Sequence, residues 1–267
     1  MATLGGLIKD FRIQKRISQL EVATKMGWSD TTRLSKIEQG RTSKPTRSVI
    51  DRILDALGIS ESEKNELLLF GGYIPDPTEI KKGINDVSEK IDSWPYPSYL
   101  IDFTWRLLYS NVPGTKTFYA PSNQILKKGN ANLLEFPFLP DFPLEIYKGE
   151  DEDNVAPFTV AQIGQFKIEE HIRSEESWYR KLIGRLMKNE TFRQTWAKVT
   201  PNTYKKKLVD YEYKIVKGSW TGKKQTLRFH ILTSKLISDP RFQLVMYLPV
   251  DKETEGFYAN KSYLKAQ

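Results

Sequence analysis

Helix punctuation in the first seventy residues limits this chain more than any other feature of it. Ser18 with Glu21, and Ser60 with Glu63, place a hydroxyl where a helix begins and a carboxylate three residues on, the spacing of a capping box. Between these starts, Gly27, Gly40 and Gly58 end three helical runs, because glycine readily takes the left-handed conformation that closes a helix. Ser29 is placed to cap the run that Gly40 ends, and Pro45 with Thr46 opens the next. Leu4, Leu7, Ile8 and Phe11 fall at i, i+3, i+4 and i+7, an amphipathic first helix ending near Arg16. The second runs from Ser18 through Met26. The fourth carries Ile50, Ile53, Leu54 and Leu57, and the fifth carries Leu67 to Leu69. These signals predict five short helices joined by tight connections.

Charge adds a partner to this picture. The chain carries a net +8, and residues 1–52 hold eleven Lys and Arg against five Asp and Glu, so most of the excess lies in the first fifth of the sequence. A concentrated positive field favours a polyanion, since each neutralised phosphate releases counterions. A solvated basic surface is the alternative. Within "GWSDTTRLSKIEQGR", Gly27 to Arg41, Leu34 and Ile37 stand three apart as the buried side of a helix, with Thr31, Thr32, Arg33 and Lys36 on its other sides.

The succession "SQLEVATKMG", "LSKIEQGR" and Pro45 resembles the helix-turn-helix of the lambda-repressor/Cro superfamily, the xenobiotic-response-element family. Gln19, Ala23 and Gly27 keep the family spacing. Leu34 and Ile37 fall one residue later than the family's buried aliphatics, so one residue has been added, either in the turn or at the front of the recognition helix. Aligned from the C-terminal side, the resemblance assigns Thr31, Thr32 and Lys36 to base edges, with Arg33 beside them, able to reach guanine or phosphate. It assigns Gln19, Arg41, Thr42 and Lys44 to phosphate clamping. Trp28 is expected to pack the lengthened corner, with contact to a DNA sugar or stacking on a partner as the alternative, and Glu38 to brace the motif through an ion pair rather than read cytosine. For each polar residue, the plain alternative is a solvated surface side chain.

Gly71, Gly72, Pro75 and Pro77 in "FGGYIPDP" break the helical pattern. The expected organisation is a helix-turn-helix domain at 1–73, a linker with a short helix at 74–97, and a second domain at 98–267. Eleven of the thirteen Phe lie beyond residue 100. "SYLIDFTWRLLYSN" reads as two strands about a turn near Asp102 to Thr104, with Asn111 leading into a helix through Phe118 and Tyr119. Residues 155–199 read as helical, with Ile163, Phe166, Ile168, Ile172, Trp178, Leu182, Leu186, Phe192 and Trp196 as core candidates. "KKKLVDYEYKIV", "QTLRFHILTS" and "FQLVMYLPV" make three further strands. The fold class is therefore α+β overall: an all-α five-helix domain, then a PAS-like α+β domain with an antiparallel sheet.

"LIDFTWRLLYSN", "NLLEFPF" and "RLMKNETFRQTWAKV" followed by strands and "YLPV" resemble the ligand-binding domain of MmyB-like transcription regulators. Gly71, Gly72 and Tyr73 approximate the sequence that family places after its helix-turn-helix. The chain departs from the pattern in having "VTPNTYKKKLVDY" where a His-Pro segment is usual, and in an acidic loop, Glu150 to Asp153, read as solvated. The resemblance implies a pocket for a small apolar ligand, a fatty acid among the candidates. By type and position the lining candidates are Trp105, Leu107, Phe118, Phe136, Phe138, Phe192, Trp196, Phe229 and Tyr247. Ordinary core packing is the alternative for each.

Catalytic patterns are sparse. His171 and His230 lack a His-Glu-x-x-His partner, there is no cysteine, and no phosphate loop or nucleophile elbow is present. No metal or cofactor is expected, no apolar run reaches membrane-spanning length, and no signal-peptide layout opens the chain, which together suit a cytoplasmic protein. The expectation is a homodimeric, ligand-responsive transcriptional regulator bound to an operator in double-stranded DNA. The alternatives are a constitutive DNA-binding protein whose second domain only dimerises or recruits a partner, and a non-DNA adaptor module.

Overall fold

The computed structural model describes residues 3–42, 44–118, 131–138, 157–200, 214–219 and 224–265. The acidic loop Glu150 to Asp153 and Tyr119 lie outside the described residues. The chain forms two compact units, Met1–Ile74 with Leu236–Arg241, and Pro75–Lys235 with Phe242–Gln267.

The first unit contains helices α1 (Leu4–Gln14), α2 (Gln19–Lys25), α3 (Thr32–Glu38), α4 (Arg47–Ala56) and α5 (Glu61–Phe70). Both capping boxes form as the sequence predicts: Ser18 Oγ accepts from the Glu21 amide, Ser60 Oγ from the Glu63 amide, and each glutamate accepts the cap residue's own N–H. Such caps contribute about 1 kcal/mol each. Gly27, Gly40 and Gly58 take φ of +70°, +66° and +59° and end α2, α3 and α4. Ile8, Val22, Leu34, Ile50, Ile53, Leu54 and Leu68 form the centre of the core. α1 meets α3 at backbone distance, since a Cβ at Gly5 would lie 2.0 Å from the Ile37 carbonyl oxygen.

The segment Leu236–Arg241 completes this unit. Arg241 is fully buried, its Nε and Nη2 donating to the Asp239 carboxylate at 2.9 and 2.7 Å. Its Nη2 also lies 3.2 Å from Asn65 Oδ1 in α5, and Asn65 Nδ2 donates to the Ser238 carbonyl at 2.9 Å. Nothing in the sequence marked this segment as part of the helical unit.

The second unit is built on an antiparallel sheet in the order β2-β1-β5-β4-β3, from β1 (Ser98–Asp102), β2 (Leu107–Ser110), β3 (Lys214–Ser219), β4 (Lys224–Lys235) and β5 (Phe242–Pro249). Its helices are α6 (Pro77–Ser93), α7 (Val112–Phe118), α8 (Pro157–Glu170), α9 (Ser177–Leu186), α10 (Glu190–Lys198) and α11 (Lys252–Ala259). Two strands, helices, then three strands is the predicted element order, with β3 starting at Lys214; residues 205–213 of the predicted strand "KKKLVDYEYKIV" lie outside the described residues. Residues 77–93, expected as a short linker helix, form a seventeen-residue helix started by an Asp76 and Glu79 capping box with Pro77 in its first turn. Gly83 of α6 lies against the Phe242 ring, where a Cβ would come within 3.0 Å.

Buried polar side chains fix the two ends of β1. Asn111 Oδ1 accepts from the Ser98 and Gly114 amides, and its Nδ2 lies within hydrogen-bonding distance of the Ile91, Trp94 and Tyr96 carbonyls. This one amide joins the end of α6, the proline-rich segment, β1 and α7. At the other end Asp102 accepts from the Thr104 amide and hydroxyl and from Arg106, shaping the turn in which Trp105 takes φ of +66°.

Three local expectations are corrected. Ser29 does not cap α3; Asp30 Oδ1 accepts the Thr32 amide at 2.7 Å, because the carboxylate is one residue closer to the orphan N–H. Ile168 is 44% exposed: Ile163 and Phe166 point α8 at the core, and a residue two past Phe166 lies across the helix from it. Ile172 is 57% exposed because the helix tightens into a 3-10 turn at His171–Arg173, which ends the period the pattern assumed.

The Gly5 contact gives a direct test. Gly5→Ala is expected to lower the urea midpoint of the full chain, destabilising it by about 2 kcal/mol through overpacking against the Ile37 carbonyl.

Candidate nucleic-acid interface

α3 is a seven-residue helix whose buried side is Leu34, Ile37 and Glu38. Thr32, Arg33 and Lys36 are exposed and Thr31 is half-buried at the helix cap. In the turn before α3, Gly27 reverses the chain, the Trp28 amide donates to the Ala23 carbonyl at 2.9 Å, and the helix begins only at Thr32. Trp28 is half-buried and packs against the helical core. The Thr32 amide holds the Asp30 carboxyl below its ordinary value, so that group is ionised beside the first turn of α3.

The orientation of α3 is set by an ion pair. Arg12 of α1 donates from Nε and Nη2 to the Glu38 carboxylate at 2.7 and 3.0 Å, and from Nη1 to the Ile17 carbonyl. Gln19 of α2 donates to Glu38 Oε2 at 2.8 Å. Glu38 thus braces the motif as the sequence predicts, and Gln19, expected on phosphate, is half-buried in this brace. Arg41 and Thr42 are exposed in the connection after α3. Lys44, also expected on phosphate, donates to the Gly72 carbonyl at 3.1 Å with its ammonium 4.5 Å from the Tyr73 ring centroid. Of the eight residues expected at DNA, Thr32, Arg33, Lys36, Arg41 and Thr42 are exposed and Thr31 is half-buried, while Gln19 and Lys44 are tied to neighbouring protein groups.

In the second unit, the nine residues expected to line a pocket come together in one cluster. Trp105, Leu107, Phe118, Phe136, Phe192, Phe229 and Tyr247 are buried, and Phe138 and Trp196 pack on them half-buried. Ring centroids of Phe118 and Phe229 lie 4.9 and 5.4 Å from that of Tyr247, and Phe138 and Trp196 lie 5.1 and 5.3 Å from Phe192. The Lys167 ammonium sits 4.4 Å from the Trp196 ring centroid and donates to the Trp196 carbonyl at 2.6 Å; burial lowers its pKa. Composition did not single out Tyr99, whose hydroxyl is 3.3 Å from that of Tyr247 and is pushed up to about 12 by burial. A depression of about 540 Å³ lined by Pro95, Tyr96, Lys252, Glu255, Gly256, Tyr258 and Ala259 shares none of the nine residues.

Beside this cluster Glu170 is buried, and burial pushes it up to about 7 against the opposing pull of Arg173, whose Nη1 donates to the carboxylate at 3.0 Å. His171 is exposed with Nδ1 2.9 Å from the Ile168 carbonyl oxygen, and His230 is exposed on β4.

A family model described as a helix-turn-helix domain matches residues 3–67. No curated protein matches the chain. The N-terminal unit is thus a helix-turn-helix domain of the kind that binds DNA, and no described helix is long and apolar enough to cross a membrane.

Two outcomes follow from the charges. Glu38→Ala strands Arg12, whose side chain is 11% exposed, and is expected to cost about 3–5 kcal/mol in denaturant melts, whereas Arg12→Met combined with Glu38→Leu recovers most of that loss. Glu170 is raised from 4.5 to about 7 on folding, so its stabilising contribution is complete below 4.5 and is lost as pH rises through 7. Stability measured from pH 4.5 to 7 is expected to fall more steeply for the wild type than for Glu170→Gln.

Proposed function

We propose that this protein is a sequence-specific, homodimeric transcriptional regulator of the xenobiotic-response-element type, whose MmyB-like second domain binds a small apolar ligand. The observation that carries the reading is α3 itself: a helix locked from behind by Leu34, Ile37 and the buried Glu38 brace, with Thr32, Arg33 and Lys36 left to solvent. Rigid backing and a polar, basic front are what a major-groove reader needs. Two such helices in a dimer, about 34 Å apart, would enter successive grooves of a pseudo-palindromic operator. Ligand in the second domain would act through its differential affinity for two arrangements of the dimer. The role is binding and regulation, not catalysis.

The direct ring-to-ring packing in the aromatic cluster favours a second reading, in which that domain dimerises or recruits a partner without a ligand. Denaturing mass spectrometry of the purified protein separates the two: an extractable lipid-like molecule supports ligand binding, and its absence from protein purified without delipidation supports the second reading.

DNA reading is tested by fluorescence anisotropy with a duplex selected from a random pool. Thr32→Ala with Lys36→Ala is expected to weaken binding to the selected site about 10- to 100-fold while leaving the melting temperature unchanged, because both side chains are exposed. A selected-site preference untouched by this pair would defeat the reading.

A further inference from the structure

The turn before α3 also gives that helix an aromatic neighbour. The Arg33 guanidinium carbon lies 4.9 Å from the centroid of the Trp28 ring. Trp28 is half-buried and packs against the helical core, and its backbone amide donates to the Ala23 carbonyl at 2.9 Å. Arg33 is the second residue of α3 and is exposed. The nearest carboxylate in the turn, Asp30, is turned to the Thr32 amide.

An exposed arginine ordinarily samples many rotamers and gives up that freedom on binding. A guanidinium already held on an indole face has given up part of it beforehand. A guanidinium placed over a ring by its carbon still carries N–H donors at its edges, and two such donors match guanine O6 and N7 in the major groove. Lysine in the same place would keep the charge and lose the fork.

We propose that Trp28 and Arg33 are a preassembled guanine reader, in which Arg33 contacts the base and Trp28 is the positioning residue that presents the guanidinium from the first turn of α3. The partner is a guanine in the major groove of duplex DNA, one in each half-site. This rests on the DNA-binding reading above and adds a base and a positioning residue to it.

The test is selection from a randomised duplex pool by the full chain, compared among wild type, Arg33→Lys, Arg33→Ala, Trp28→Phe and Trp28→Leu, followed by affinity measurements across a salt series. The wild type is expected to select a guanine at one position per half-site. Arg33→Lys and Arg33→Ala lower the preference for that guanine about tenfold and leave other positions alone. Trp28→Leu, which keeps apolar packing but offers no π face, lowers it about threefold, and Trp28→Phe retains it.

If Arg33→Ala weakens all sequences alike and reduces the salt slope by about one, Arg33 is a phosphate contact and the proposal is overturned. If the arginine variants lose the guanine and Trp28→Leu, folded by circular dichroism, does not, Trp28 positions nothing. Should Trp28→Leu fail to fold, retention of the preference by Trp28→His or Trp28→Tyr against its loss in Trp28→Met carries the same comparison. A wild type that binds no duplex even at low salt sinks the DNA reading itself and this proposal with it, an outcome distinct from binding without the guanine.

Discussion

Glu38 is a carboxylate whose side chain is 1% exposed, and the DNA-binding unit is arranged around the need to satisfy it. A charge at that depth survives only if it is paired and hydrogen-bonded. Its partners come from the two other helices of the motif, a guanidinium from α1 and a side-chain amide from α2. Three helices must therefore reach one mutual arrangement before the recognition helix can be buried at all. The ion pair adds little net stability over a well-packed apolar trio, and what it contributes is a penalty on every other arrangement. The backbone contact at Gly5 works in the same direction, since α1 can approach α3 so closely only where no side chain intervenes.

The second unit uses buried polar hubs for a comparable purpose. Asn111 and Asp102 sit at opposite ends of the β1 and β2 hairpin and accept backbone amides that the sheet leaves unpaired. Between them, side chains alternate: Leu227, Phe229, Val245 and Tyr247 face the aromatic cluster, while the intervening residues face away. The cluster is rich in edge-to-face ring pairs, a geometry that depends on ring orientation and is rebuilt only by moving several rings together.

Local chemistry was legible in the sequence and long-range chemistry was not. Ser18 with Glu21 and Ser60 with Glu63 announce their helices because both halves of the interaction lie within three residues. Leu34 and Ile37 announce the buried side of α3 for the same reason. The cap of α3 depended on whether Ser29 or Asp30 reached its first free amide, a matter of one residue in a turn. Gln19 and Lys44 were assigned by family position to phosphate, and their partners, Glu38 and the Gly72 carbonyl, are nineteen and twenty-eight residues away. Trp28 was read as packing, which it is; its second face became visible only with the Arg33 side chain in place.

The segment Leu236–Arg241 has a consequence for the order in which the protein can mature. Asn65 meets Ser238 and Arg241 across separations of 173 and 176 residues. During synthesis the five helices emerge first, and α5 must wait for nearly the whole of the remaining chain before that buried amide finds its protein partners. A nascent helical domain, or a proteolytic fragment ending at Ile74, would carry Asn65 bonded to water instead. The completed helix-turn-helix unit thus draws on residues far beyond Ile74, and its last stitch is made late.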